Sequence, residues 1–185
     1  MLKFPGPSIA TGKFHKALQV PNTAATEGNK LSLGLHENDC LGNVTLCPDG
    51  VTVSLWIYMF SQYHQWPYMA SGSMFEIMGR TSRGQIPRTF QITLFNGTHK
   101  WTTEHGLIYS YWHYFAFVYT KKDGYTLFFD GYHYNPIIPT VWVKASRNLE
   151  LGCREGSLCS KAKYDDLRVW NEAKDENFIW HLWQS

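Results

Sequence analysis

A two-residue alternation, recurring along the chain between short turn signals, most constrains what this sequence can fold into. In GVTVSLWIYMF, Val51, Val53, Leu55, Ile57 and Met59 fall on one side, and Thr52, Ser54, Trp56, Tyr58 and Phe60 on the other. That is the side-chain period of a strand. TFQITLF places Phe90, Ile92 and Leu94 on one side. WHYFAFVYT is apolar on both sides, as in a central strand with both faces covered. Asp123-Gly124 and Asp130-Gly131 then read as hairpin turns. LELGC and YDDLRVW are further short strands. Only the end reads as helix: in DENFIWHLWQS, Phe178, Ile179, Leu182 and Trp183 share one helical face behind Asp175, a suitable N-cap. The prediction is an all-β chain, an antiparallel β-sandwich with one short C-terminal helix packed against it.

The 185 residues suffice for one domain with a sizeable core, and no linker, repeat or low-complexity run divides 1–185. Charged residues are 17% of the chain, below the usual quarter, which argues against disorder. A net charge of +2 is too small for a dedicated nucleic-acid binder. No apolar run approaches the ~20 residues that span a bilayer. MLKFPGPSIATGKF has neither the continuous apolar core nor the small-residue cleavage site of a secretory signal. The expectation is therefore a domain excised from a larger extracellular protein, secreted or membrane-anchored.

The compartment argument rests on CLGNVTLC. Six residues separate Cys40 from Cys47, and five separate Cys153 from Cys159. Structural zinc sites usually place two to four residues between paired ligands, and a redox Cys-x-x-Cys is absent. Asn43-Val44-Thr45, between the first two cysteines, is an N-glycosylation acceptor, and Asn96-Gly97-Thr98 is a second, on a hairpin signal. The pairs therefore read as disulfides of an extracellular glycoprotein. Four cysteines allow three connectivities, and local pairing is the expectation because each pair flanks a single turn.

Four segments in order resemble the laminin G-like, concanavalin A-like jelly-roll superfamily, which also includes the pentraxins. GKFHKALQV resembles its early Gly-Lys-x-x-x-Ala-Leu strand, and VTVSLWIYM its strand with Ser-x-Trp. WHYFAFVYTKKDGYTLFFDG resembles its Trp-His strand and hairpin, and YDDLRVWNEAKDENFIWHLW its closing strand and acidic helical turn. The resemblance covers Gly12 to Trp183 and implies a jelly roll. It does not choose among lectins, adhesion modules, glycosaminoglycan binders, calcium-dependent pentraxins and glycoside hydrolases.

Catalytic patterns are sparse. Glycoside hydrolysis needs two carboxylates about 5–9 Å apart. The Glu-x-Asp-x-x-Glu motif of the β-glucanases of this fold is absent, and Glu76 has no acidic partner two residues away. Asp165 and Asp166 are adjacent, so on a strand they point to opposite faces; one is expected to pin a loop and the other to be solvated. GPSIATGK departs from a phosphate loop, Gly-x-Ser-x-Gly is missing, and His113 beside Trp112 reads as a packed strand histidine. The expectation is no enzyme.

Binding candidates remain. Tyr63, Trp66 and Tyr68 lie in a polar, proline-containing stretch, and GYHYNP adds Tyr132 and Tyr134. Such rings either stack on a ligand or cover the sandwich. Arg80, Arg83 and Arg88 suit sulfate or a sialic-acid carboxylate, or form a solvated face. Glu37, Asn38 and Asp39, with Asp49 across the stapled loop, supply oxygens for a possible calcium ion, against a plain turn role. No cofactor is required. The resulting expectation is a non-catalytic extracellular recognition or cell-adhesion module, binding a glycan or a protein ligand through rim loops or a sheet face. A calcium-dependent lectin or pentraxin-like binder, a polysaccharide-processing enzyme and a structural spacer are the alternatives.

Overall fold

A computed structural model describes residues 8–20, 31–36, 38–41, 46–60, 67–71, 75–80, 89–96, 99–106, 109–134, 148–152 and 160–185. Thirteen strands and one helix lie within them. The strands are β1 Ser8–Thr11, β2 Lys16–Val20, β3 Leu31–Leu35, β4 Val51–Met59, β5 Pro67–Ser71, β6 Phe75–Arg80 and β7 Thr89–Asn96. They continue with β8 His99–Gly106, β9 Tyr111–Thr120, β10 Gly124–Phe129, β11 Tyr132–Tyr134, β12 Asn148–Leu151 and β13 Ala162–Trp170, and α1 spans Glu176–Gln184.

The strands form two antiparallel sheets, ordered β1-β2-β13-β4-β9-β10-β11 and β3-β12-β5-β6-β7-β8. The predicted alternation in β4 sets the core. Val51, Val53, Leu55, Ile57 and Met59 all enter the main buried cluster, where they meet Phe115, Phe117 and Tyr119 of β9. From the second sheet, Met69, Ile77, Leu149 and Leu151 close the same cluster. Burying one apolar face per sheet is what makes two sheets adhere.

The other face of β9 is also covered, as its sequence requires. Tyr114, Ala116 and Val118 join Trp56 and Phe128 in a second buried cluster, on the outer face of the first sheet. Its cover is α1: Ile179 is 2% exposed there, and Leu182 and Trp183 pack against it. The helix starts where predicted, since Asp175 accepts the Phe178 N–H at 2.8 Å. Thr52 anchors the connection into it: its hydroxyl donates to the Glu172 carbonyl at 2.8 Å and accepts the Lys174 N–H at 2.9 Å. Among the described residues, no helix is long and apolar enough to cross a membrane.

The turns match the sequence in kind and differ in detail. Asp130 and Gly131 both have positive φ, at 46° and 82°, and join Phe129 directly to Tyr132 in a two-residue hairpin. Asp123-Gly124 differs: Gly124 pairs with Thr120, so the loop is 121–123. The Thr120 hydroxyl also exchanges hydrogen bonds with Asp123, which pulls the turn one residue longer. Asn96 likewise belongs to the ladder, opposite His99.

Candidate aromatic binding site

The outer face of the first sheet is only partly covered by α1, and an open pocket of about 530 Å³ lies beside the helix end. Its floor is Trp56 and Tyr58 of β4 with Trp112 of β9. The ladder registers Trp56 with Tyr114 and Tyr58 with Trp112, so these rings sit side by side on one face. Tyr58 and Trp112 meet edge to face at 5.5 Å. Trp183 and Gln184 of α1 form one wall, and Ser110 and Tyr111 form part of the rim. Tyr111 is 63% exposed.

Polar groups complete the rim. Asp130 is held rigidly: its Oδ2 meets His113 Nδ1 at 2.6 Å, and its Oδ1 accepts the Tyr114 N–H at 2.8 Å. His113 is buried and stacks on Phe129 at 5.4 Å, the packed strand role its sequence suggested. Lys13 lines the opposite side, its ammonium 4.4 Å from the Trp56 ring centroid. Trp56 is 4% exposed, yet its indole Nε1 finds no hydrogen-bond partner among the described residues. A buried donor left unpaired is costly, so this one is an exception in the floor of an otherwise well-packed face. Burial also pushes the neighbouring Tyr114 phenol up to about 12.

The expected site residues lie elsewhere. Tyr63, Trp66, Arg83, Arg88, Glu37, Asn43, Cys153 and Cys159 fall outside the described residues. Arg80 ends β6, with its side chain outside them too. Tyr68 is a correction: at 1% exposure it belongs to the core between the sheets, and its carbonyl accepts the Tyr164 hydroxyl. Tyr132, 70% exposed, and the half-buried Tyr134 lie on β11 opposite Phe129 and Leu127, so they face the inter-sheet side rather than the aromatic pocket.

In the stapled loop, Cys40 and Cys47 are joined as expected, with Cα atoms 5.4 Å apart. Asp39 is occupied within that loop: its Oδ2 meets His36 Nδ1 at 2.7 Å and its Oδ1 accepts the Leu41 N–H at 2.9 Å. Asn38 and Asp49 are exposed. Among the described residues, no group of three or more His, Cys, Asp or Glu side chains is disposed to hold a metal. The backbone of Gly152 and Ser160, which flank the second cysteine pair, is joined by a 2.6 Å hydrogen bond.

Two carboxylate expectations also change. Asp165 pins a loop as foreseen, accepting the Lys13 and Phe14 N–H groups. Asp166 is not merely solvated: it has φ 49° at a bulge between β13 and β4 and pairs with Arg168 Nε at 2.6 Å. Glu76 does have an acidic companion. Glu150, Ala70, Glu76 and Thr93 are successive partners across the second sheet, on the face opposite the core. Two strand spacings put the glutamate backbones roughly 10 Å apart. Glu76 and Glu150 are each 4% exposed. No single strand encodes this pair, because its register runs across strands.

The aromatic pocket was missed for a related reason. Trp56, Tyr58 and Phe60 were legible as the second face of β4, but that face reads as helix-covered until the helix is placed.

The family model of the Concanavalin A-like lectin/glucanases superfamily matches residues 36–179. No curated protein matches the chain in sequence. Among solved structures, it is similar to the binding domain of botulinum neurotoxin DC in complex with SialylT, with TM-score 0.65, 9% identity, and coverage of 96% of this chain and 44% of that one. It is also similar to domain 4 of an extracellular arabinanase from Geobacillus stearothermophilus in complex with arabinotriose. That match has TM-score 0.60, 16% identity, and coverage of 95% and 80%. A third, the botulinum neurotoxin DC binding domain in complex with rat synaptotagmin II, gives TM-score 0.56, 11% identity, and coverage of 96% and 42%. The chain thus spans less than half of the toxin domains it matches. Likeness at these identities concerns the fold, and the family match covers most of the chain: it belongs to the concanavalin A-like lectin/glucanase superfamily.

Proposed function

We propose that this chain is a non-catalytic extracellular recognition module whose ligand is a carbohydrate chain. The observation that carries this reading is the open pocket floored by Trp56, Tyr58 and Trp112 and rimmed by Lys13, Asp130 and Gln184. The half-buried Tyr58 and Trp112 offer ring faces to the C–H faces of a sugar, Trp56 at 4% exposure backs them, and fixed polar groups beside them orient its hydroxyls. The similar domains solved with SialylT and with arabinotriose support the choice of ligand class. The Cys40–Cys47 disulfide supports an oxidising compartment.

Binding of the disulfide-intact domain to a broad glycan array, with calcium and with chelator, tests this. The reading expects glycan hits that survive chelation and are lost in Trp112→Ala. Hits abolished by chelation would favour a calcium-dependent lectin acting through the Glu37 to Asp39 loop. A blank array would favour a protein ligand or a spacer.

A second reading, glycan hydrolysis, has one observation in its favour: Glu76 and Glu150 share a sheet face within two strands. Both are 4% exposed, whereas a catalytic pair has to meet substrate. Release of reducing ends from any bound glycan, abolished by Glu76→Gln or Glu150→Gln, would establish it; unchanged glycan after prolonged incubation supports the non-catalytic reading.

A further inference from the structure

We propose that Thr52 is a positioning residue of the aromatic pocket: from the opposite end of β4 it aims α1, whose Trp183 and Gln184 form the pocket wall. This rests on the glycan-binding reading above. Thr52 lies about 20 Å along the strand from Tyr58 and does not line the pocket itself. It acts through the helix.

The helix runs along β4. Before its start, Ala173 and Lys174 lie beside Val118, the ladder partner of Thr52. At its end, Trp183 and Gln184 lie beside Tyr58 and Trp112. The rise from Asp175 to Trp183 is about 12 Å, so a tilt of about 5° at the start moves Trp183 by about 1 Å. A binding constellation works only within about 0.5 Å and 10–20° of its productive geometry. Small errors at the helix start are therefore large ones at the pocket.

Apolar packing leaves that tilt open. Ile179, Leu182 and Trp183 seat the helix on the second buried cluster and set its distance from the sheet, but hydrophobic attraction has no direction. Hydrogen bonds do. The Thr52 hydroxyl donates to the Glu172 carbonyl at 2.8 Å and accepts the Lys174 N–H at 2.9 Å, so it grips the chain on both sides of Ala173. Thr52 is fully buried, where such bonds are strong. Ala173 adds an N–H bond to the Asp49 carbonyl at 2.8 Å. The His133–Glu176 pair joins two exposed side chains and constrains direction less.

Gly131 reports where the wall stands. Carbons of the Trp183 ring lie 2.7 to 3.0 Å from the place a Gly131 Cβ would occupy, so the ring rests on the turn that carries Asp130. The indole ring current shifts the Gly131 amide resonance. A displaced wall moves that signal with no ligand present.

The test reads the Gly131 amide signal and the calorimetric affinity for the strongest array glycan, in the 185-residue chain, at a temperature where each variant is folded. Thr52→Val keeps the side-chain shape and removes both bonds. It should move the Gly131 signal and weaken binding about five- to tenfold, a coupling of ordinary size. Thr52→Ser, which keeps the hydroxyl, should restore both. Cys40→Ser with Cys47→Ser, destabilised away from α1, should keep both at wild-type values. In a Trp183→Ala chain, Thr52→Val should weaken binding no further, since the two act as one unit. In wild type, bound glycan should slow exchange of the Lys174 amide, because coupling is reciprocal. An unmoved Gly131 signal or unchanged affinity in folded Thr52→Val overturns the proposal. So does an equal loss in the disulfide variant or in the Trp183→Ala background. If Thr52→Val does not fold, unchanged Lys174 exchange on glycan binding overturns it instead. A moved Gly131 signal with no glycan bound by wild type supports the positioning of α1 by Thr52 and overturns the glycan reading alone.

Discussion

Asp165 holds Lys13 in place from the far end of the chain: its Oδ2 accepts the Lys13 N–H at 2.8 Å, across 152 positions. The same oxygen accepts the Phe14 N–H at 3.2 Å, and Phe14 packs edge to face on Trp56 at 6.2 Å. One carboxylate on the closing strand therefore builds one side of the pocket. A Cβ at Gly12 would lie 2.4 Å from that oxygen, so the turn closes only with glycine there.

Asp165→Ala should accordingly destabilise the domain by about 1.5–3 kcal/mol, the range for hydrogen bonds to a charged group. It should also weaken glycan binding. Urea unfolding checks the first effect; a midpoint equal to wild type would show that the turn holds without Asp165.

Gly131 is the second fixed point. Its φ is +82°, and a Cβ would lie 2.7 Å from the Trp183 ring. Gly131→Ala pays for the left-handed backbone, about 1–2 kcal/mol, and must also shift Trp183. A lower melting temperature with an altered near-ultraviolet tryptophan signal is expected. An unchanged signal would place Trp183 away from the turn.

Buried phenols set the alkaline limit of the fold. Burial pushes Tyr109 and Tyr114 up to about 12, and it also raises Tyr68, Tyr125 and Tyr164. An unfolded tyrosine ionises near 10. Between those values the folded chain keeps protons that the unfolded chain has lost, so stability falls as pH rises. The contribution is complete below about 10 and disappears as pH passes through about 12. Urea midpoints measured from neutral pH upward should decline from about pH 10, with tyrosinate absorbance appearing at unfolding. Full ionisation of all tyrosines in a folded chain would contradict this.

The Cys40–Cys47 staple closes a short loop whose second cysteine is 3% exposed in the core. In the chain-entropy account such a loop contributes roughly 2–3 kcal/mol. Selective reduction, or Cys40→Ser with Cys47→Ser, should lower stability by that amount while the sandwich still folds. No change in the unfolding midpoint would count against the bond's contribution.

Much of the fold was legible because alternation in β4 and β9 dictates which face meets the other sheet. The N-cap at Asp175 and the turn at Asp130-Gly131 were legible because each depends on adjacent residues. The site was harder to read. Trp56, Tyr58, Trp112, Lys13 and Trp183 come from four separate elements, and only ladder register and the Asp165 contact bring them together. Tyr68 misled because an aromatic in a polar stretch looks exposed until its strand is placed inward. The Glu76–Glu150 relation is likewise set by cross-strand register, which no single segment encodes.

The most direct test compares an aromatic ring of the pocket with one outside it. Trp112 pairs with Tyr58 on the pocket floor, whereas Tyr132, 70% exposed, pairs with Phe129 on the edge strand. Urea unfolding first establishes that each variant is folded at the titration temperature. Binding of the strongest array glycan should be titrated with wild type, Trp112→Ala and Tyr132→Ala. The account predicts an affinity loss of fivefold or more, about 1 kcal/mol, for Trp112→Ala and wild-type affinity for Tyr132→Ala. Unchanged binding in folded Trp112→Ala, with loss in Tyr132→Ala, would move the ligand to the sandwich edge and contradict the assignment of the aromatic pocket.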